Sequence, residues 1–254
     1  MTPVTIDRVE RSFGRSFQSY ASSASQQARI ARHLARRLCD LGAPDHFHNT
    51  FEFGCGTGNL TRALQEHFTF GDRTLNDLTA EARETAKAFD ASFLPGDVRD
   101  ILWPRTPDLI ASASTIQWLD NPEQIVLRAA QELAPGGWLA ISSFGPQQYC
   151  ELAELGSTAG APGLRGAQDL TQSLANDPII SIHEYDEDYH QLWFDSPTDV
   201  LKHLRKTGVN AGAAQGWTRA NLNQFYDQYL EKFGTAQGVP LTYHATWVIA
   251  RKHG

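Results

Sequence analysis

Phe51-Glu52-Phe53-Gly54-Cys55-Gly56-Thr57-Gly58 is the stretch of this 254-residue chain whose residue types and spacing carry the most chemistry. Three glycines at alternate positions let a backbone turn sharply and approach a ligand without Cβ atoms in the way. A dinucleotide fingerprint needs its third glycine three residues after the second, where Asn59 stands. A phosphate-cradling loop needs Gly-Lys-Ser or Gly-Lys-Thr, and neither follows. The loop is thus a structural turn or a cradle for some other ligand. Asp77 follows Gly54 at close to the roughly 20-residue spacing of an acid that binds ribose hydroxyls, although an N-cap for the next helix explains it equally well. No Ser-His-Asp set, paired catalytic carboxylates or metal-ligand cluster stands out.

These residues need a scaffold, and the hydrophobic pattern supplies one. Ala28, Ala31, Leu34, Ala35, Leu38 and Leu41 recur every three or four positions, placing a helix over 25–41 that Gly42 and Pro44 end. Strands are expected at 50–53, 73–76, 92–94, 109–112, 138–144, 185–194 and 244–250. Helices are expected at 59–68, 79–89, 122–133, 197–206 and 219–232. The alternation predicts an α/β, doubly wound parallel sheet with right-handed crossovers. Gly, Ala, Ser and Pro dominate 156–182, which is read as a small insertion over a sheet edge with a short helical pattern around Leu170 to Leu174.

With Glu52 ahead of it, the glycine loop resembles motif I of class I S-adenosylmethionine-dependent methyltransferases. The physics agrees, because that cofactor carries an ammonium and no phosphate, and Glu52 attracts a cation where it would repel pyrophosphate. Asn76-Asp77-Leu78-Thr79 resembles the superfamily's Asp-x-Ser turn, and Pro135-Gly136-Gly137-Trp138 its Pro-Gly-Gly turn before the fifth strand. Gly96-Asp97-Val98 resembles the turn whose Asp accepts from the adenine amino group while the next backbone N–H donates to the ring. The resemblance implies a Rossmann-like, mostly parallel seven-stranded sheet, S-adenosyl-L-methionine as cofactor, and cofactor contacts from Tyr20, Gln26, Glu52, Gly54, Cys55, Gly56, Gly58, Asp77, Leu78, Asp97, Val98 and Ser112.

Other segments resemble one family more narrowly. Phe13-Gly14-Arg15-Ser16-Phe17-Gln18-Ser19-Tyr20 with Gln26, Ile116-Gln117-Trp118, Leu192-Trp193-Phe194-Asp195 with Leu204-Arg205-Lys206-Thr207-Gly208, and Pro240-Leu241-Thr242-Tyr243-His244 with Val248-Ile249-Ala250-Arg251 are similar to segments of the malonyl-acyl-carrier-protein O-methyltransferases of biotin synthesis. Ala113 departs from the family, which commonly has Asn there. The resemblance implies O-methylation of the free carboxyl of a malonyl thioester. A carboxylate is already ionised near neutral pH, so no general base is required. Tyr20, Gln117, Trp118, Arg205, Lys206, Tyr243 and His244 become the candidates for positioning the acceptor. Methylation of a small carboxylic acid or quinone precursor, and a non-catalytic S-adenosylmethionine-binding regulatory module, are the rival readings.

The whole chain is read as one domain, with 1–45 a helical lid, 49–145 the cofactor-binding core and 183–254 the substrate side. With 22 Lys and Arg against 29 Asp and Glu, its net charge of −7 argues against a surface built to grip nucleic acid. Acyl carrier protein is itself acidic, so the resemblance implies a basic docking patch, for which Arg29, Arg32, Arg36 and Arg37 lie off the apolar stripe of the first helix. Cys39, Cys55 and Cys150 are too few and too widely spaced for a disulfide framework. Met1 to Tyr20 hold no apolar run and nowhere do 18 apolar residues follow one another, so a cytoplasmic chain that binds no membrane is expected; a monomer is expected as well.

Overall fold

The computed structural model describes residues 25–157, 160–206 and 219–254. In chain order the elements are α1 (Ser25–Asp40), β1 (His46–Phe53), α2 (Asn59–Gln65), β2 (Thr69–Asp77), α3 (Arg83–Ala88), β3 (Ser92–Pro95), β4 (Leu109–Ala113), α4 (Pro122–Glu132), β5 (Trp138–Phe144), α5 (Cys150–Glu154), α6 (Ala167–Ala175), β6 (Ile180–Phe194), α7 (Pro197–Lys206), α8 (Arg219–Phe233) and β7 (Val239–Lys252). Short 3-10 turns at Ala80–Ala82 and Ile116–Trp118 follow β2 and β4.

One sheet runs β3-β2-β1-β4-β5-β7-β6. Its first five strands are parallel, and β7 is antiparallel to both of its neighbours. The seven-stranded, mostly parallel α/β architecture expected from the sequence is thus the one observed. The order reverses between β1 and β4, and such a switch point opens a crevice beyond the carboxyl ends of the strands.

Side-chain alternation explains the two helical layers. Leu109, Ala111, Trp138 and Ala140 face one side and meet Ala31, Leu34, Ala35 and Leu38 of α1 and Leu60, Ala63 and Leu64 of α2. Ile110, Leu139 and Ile141 face the other and meet Ile125, Val126, Ala129 and Ala130 of α4. Leu34 and Leu38 are fully buried, each contributing about 1.5–3 kcal/mol on transfer from water. The described part of the expected lid thus packs into the core through α1.

The expected insertion is corrected in the same way. Leu170 and Leu174 of α6 are fully buried in the α4 layer, so α6 is a core helix between β5 and β6 rather than an edge cover. Beyond β5, the long β6–β7 ribbon carries a separate cluster in which Val200 and Leu204 of α7 and Phe225 and Tyr229 of α8 pack on Val239, Leu241 and Tyr243.

Charge fixes α1 to the edge strand. Arg37 Nε donates to Glu184 Oε1 at 3.0 Å and Arg29 Nη1 to Asp188 Oδ2 at 2.7 Å. The Glu184 carboxyl is held below its ordinary range, chiefly by the Arg37 hydrogen bonds. Two of the four arginines expected in a docking patch are thus turned onto β6, while Arg32 and Arg36 stand exposed. Among the described residues, no helix is long and apolar enough to cross a membrane.

Candidate active site

The glycine loop leaves β1 at the switch point. Gly54, Gly56 and Gly58 have φ of +66°, +48° and +78°, the left-handed region that side chains rarely adopt. Their reasons differ. A Cβ on Gly54 would lie 2.0 Å from Thr115 Oγ1, and one on Gly58 would lie 2.5 Å from Phe89 Cε2. A Cβ on Gly56 would meet nothing within 4 Å; it would project beside a cavity that Gly56 itself lines. Gly54 and Gly58 serve packing, and Gly56 keeps the cavity wall bare.

The cavity spans the carboxyl ends of β1, β2 and β4 and the turn after β3. Gln27, Glu52, Gly54, Cys55, Gly56, Thr57, Asn59, Leu60, Asn76, Asp77, Leu78, Thr79, Gly96, Asp97, Val98, Ala113, Ser114, Thr115, Trp118 and Leu119 line it. No Lys or Arg among the described residues does so, whereas three acids do.

Each acid is held differently. Glu52 is buried, and desolvation pushes its carboxyl up to about 8 although Thr61 and the Arg73 charge act the other way. Asp77 Oδ2 accepts from the Gly56 N–H at 2.8 Å, and its Oδ1 accepts from the Thr79 N–H at 2.8 Å and hydroxyl at 2.7 Å. Asp77 therefore ties the glycine loop to the turn after β2, and its pKa is raised because burial outweighs those bonds. Asp97 is gripped by Arg99, whose Nε donates to Oδ1 at 2.9 Å and Nη2 to Oδ2 at 2.6 Å. That pair lowers the Asp97 pKa, and Asp97 lines the cavity as a carboxylate.

Residues behind the wall keep it in place. Asn76 Nδ2 donates to Leu94 O at 2.9 Å and Gly96 O at 2.8 Å, tying β2 to the Asp97 turn. Trp103 Nε1 donates to Val98 O at 2.8 Å. Arg128 lies 4.2 Å above the Trp103 ring.

Sequence expectations and geometry part at several positions. Cys55, Leu78 and Val98 line the cavity as expected from the sequence, but Ser112 does not; it is fully buried in β4 and its hydroxyl donates to Phe53 O at 2.9 Å. Gln26 instead accepts from Arg29 Nε at 2.9 Å, and its neighbour Gln27 lines the cavity with a buried, unpartnered Oε1. The signal for Gln27 was its phase, since it precedes Ala31, Leu34 and Leu38 at helical spacings. Tyr20 lies outside the described residues.

Among the described acceptor candidates, Trp118 alone lines the cavity. Gln117 is buried, with Nε2 donating to Ser114 O at 2.7 Å. Tyr243 is fully buried with its hydroxyl 2.7 Å from His203 Nε2, and burial pushes its pKa up to about 12. His244 Nδ1 accepts from the Gln147 N–H at 3.1 Å, so Nε2 carries the proton and donates to Glu187 Oε2 at 2.9 Å. With both ring nitrogens engaged, His244 has none to offer an acceptor. Arg205 and Lys206 are exposed at the end of α7.

Comparison with known proteins places this geometry. A methyltransferase-domain model matches residues 51–141. The malonyl-[acyl-carrier protein] O-methyltransferase of Chlorobium luteolum is 33% identical over 253 residues, covering 96% of this chain and 94% of that protein. The chain belongs to the malonyl-[acyl-carrier protein] O-methyltransferase family. A protein of the same name from Bacteroides fragilis is 35% identical over 234 residues, covering 89% of this chain and 47% of its own, so the chain spans about half the length of that relative. A methyltransferase candidate from Bacillus halodurans shares the fold, with a TM-score of 0.60 at 14% identity over 87% of this chain and 99% of that one.

As a member of this family the chain is an S-adenosylmethionine-dependent O-methyltransferase. The cavity suits that cofactor. Its acids, with no Lys or Arg beside them among the described residues, fit an ammonium and a sulfonium and would oppose pyrophosphate, and the unpartnered Gln27 Oε1 supplies a buried acceptor.

Proposed function

We propose that this protein methylates the free carboxyl of a malonyl group carried as a thioester on acyl carrier protein. The observation that carries the reading is the alignment with relatives of that name over nearly their whole length, joined to an acid-lined cavity at the switch point that no Lys or Arg among the described residues lines. When bound, S-adenosylmethionine supplies an electrophilic methyl group. In this reading Glu52 and Gln27 face its ammonium, Asp77 its ribose hydroxyls and Asp97 its adenine, while Gly56 leaves room for close approach.

The protein's remaining work is alignment and exclusion of water. A malonyl carboxylate is ionised near neutral pH and needs no base, which accords with His244 and Tyr243 being committed to internal hydrogen bonds. Phe53 and Val98 are buried beside Trp103, and Leu119 and Trp118 close the β4 side. An apolar surround favours a reaction in which a sulfonium and a carboxylate lose their charges together.

Docking of the carrier protein falls to the exposed Arg32 and Arg36, one turn apart on α1. The test is turnover of malonyl-acyl carrier protein against malonyl-coenzyme A and free dicarboxylic acids. Preference for the carrier-bound thioester supports the reading, and preference for a free acid or a quinone precursor overturns it.

A further inference from the structure

Ser114 is a non-glycine residue at φ +55°, a left-handed conformation that costs an L-residue roughly 1–2 kcal/mol and persists only when its surroundings enforce it. They do so here. The Ser114 N–H donates to Ser142 O at 3.0 Å, and its carbonyl accepts from Gln117 Nε2 at 2.7 Å. Gln117 is anchored in turn by the Ser143 hydroxyl at 3.4 Å. Two residues of β5 and one of the turn after β4 thus hold Ser114 in an unfavourable backbone state. Ser114 lines the cavity, and its hydroxyl is buried and has no hydrogen-bond partner. A buried hydroxyl left unmatched is costly, and a ligand that accepts its proton recovers that cost.

The position narrows the ligand. Asp77 and Asp97 line the cavity on the β2 and β3 side and the glycine loop lines it at the end of β1, whereas Ser114 follows β4 and is hydrogen-bonded through its N–H to β5. An acceptor meeting a cofactor laid along the acids must enter from the β4 side. No Lys or Arg among the described residues lines the cavity, so the partners these residues offer a carboxylate there are neutral donors. The neighbouring Thr115 hydroxyl is already spent on Gly54 O at 3.3 Å and Ala113 O at 3.2 Å.

We propose that the Ser114 hydroxyl donates a hydrogen bond to the acceptor's carboxylate and sets its approach to the methyl donor. This deepens the proposed function and rests on it. A single neutral donor orients a carboxylate while leaving most of its charge available for attack, which a bidentate guanidinium would not.

Ser114→Ala and Ser114→Gly test it together. Glycine relieves the left-handed strain, so Ser114→Gly is expected to melt no lower than the parent, and both variants to bind S-adenosylmethionine in calorimetry as the parent does. Both are expected to lose roughly tenfold in kcat/KM for malonyl-acyl carrier protein, carried mainly by KM. Unchanged kcat/KM in the folded variants overturns the assignment. An equal loss in S-adenosylmethionine affinity also overturns it, placing the hydroxyl on the cofactor's own carboxylate. A parent protein that binds S-adenosylmethionine yet does not methylate malonyl-acyl carrier protein refutes the proposed function itself, and this assignment with it.

Discussion

A Cβ at Gly54 would collide with Thr115 and one at Gly58 with Phe89 and Thr85, whereas one at Gly56, beside the cavity, would meet nothing within 4 Å. Gly54→Ala and Gly58→Ala are therefore expected to lower stability by about 1–3 kcal/mol through overpacking and strain, measurable as a fall in melting temperature. Gly56→Ala should fold and lose S-adenosylmethionine affinity by calorimetry. Glu52 gives a prediction in pH. Its carboxyl titrates near 8 in the folded chain against an ordinary value of 4.5, so the folded state holds an extra proton between those values. Its contribution to stability then falls as pH rises from about 4.5 to 8. Glu52→Gln should flatten that decline in denaturant titrations of the unliganded protein. At pH 7 a bound cation should draw the proton off, making the binding enthalpy depend on buffer in the parent and not in Glu52→Gln. At this scale the glycine loop and the three acids were legible, because spacing and charge type encode them. The choice of Gln27 over Gln26, and the left-handed state of Ser114, were not. The first turns on about 100° of helical rotation. The second depends on bonds from Ser142 and Gln117, which no local pattern reports.

Among the elements, α1 serves both core and site. It buries Leu34 and Leu38 against the sheet, brings Gln27 to the cavity, and is tied to β6 by Arg37–Glu184 and Arg29–Asp188. Leu34→Ala should cost about 2–5 kcal/mol. Arg37→Met, which breaks a pair with side-chain exposures of 31% and 17%, should cost about 1–2 kcal/mol, between the exposed and buried limits, and a denaturation series on both variants checks the ranking. The apolar period announced α1, yet its membership of the core layer depended on partners far along the chain. For α6, Gly, Ala, Ser and Pro around two leucines disguised a core helix as an insertion. Tyr243 and His244 looked like acceptor residues because they fall in a segment that resembles the family and sit at the start of the last strand as read from the sequence. β7 begins earlier, at Val239, and this places both inside the ribbon packed by α7, α8 and the turn after β5.

For the whole molecule, the net charge of −7 hides a division of labour. Acids line the cavity, acids on β6 neutralise Arg29 and Arg37, and Arg32 and Arg36 are left on the surface. Reversing both to Glu should lower kcat/KM for malonyl-acyl carrier protein roughly tenfold at low ionic strength, and the deficit should shrink as salt screens the encounter. Turnover of malonyl-coenzyme A should change little. The sheet order and switch point put the cofactor motifs into one crevice as the strand pattern implied, but which surface meets a macromolecular partner depends on which charges the fold itself consumes. The central claim is the acceptor. The most direct test incubates the purified chain with S-adenosylmethionine and malonyl-acyl carrier protein and follows the intact carrier by mass spectrometry. One methyl group is expected to replace the acid proton on the malonyl-loaded carrier, with no change on the acetyl-loaded carrier that lacks the free carboxyl. An unmodified malonyl carrier, in a preparation that binds S-adenosylmethionine and methylates a free small acid, would contradict it.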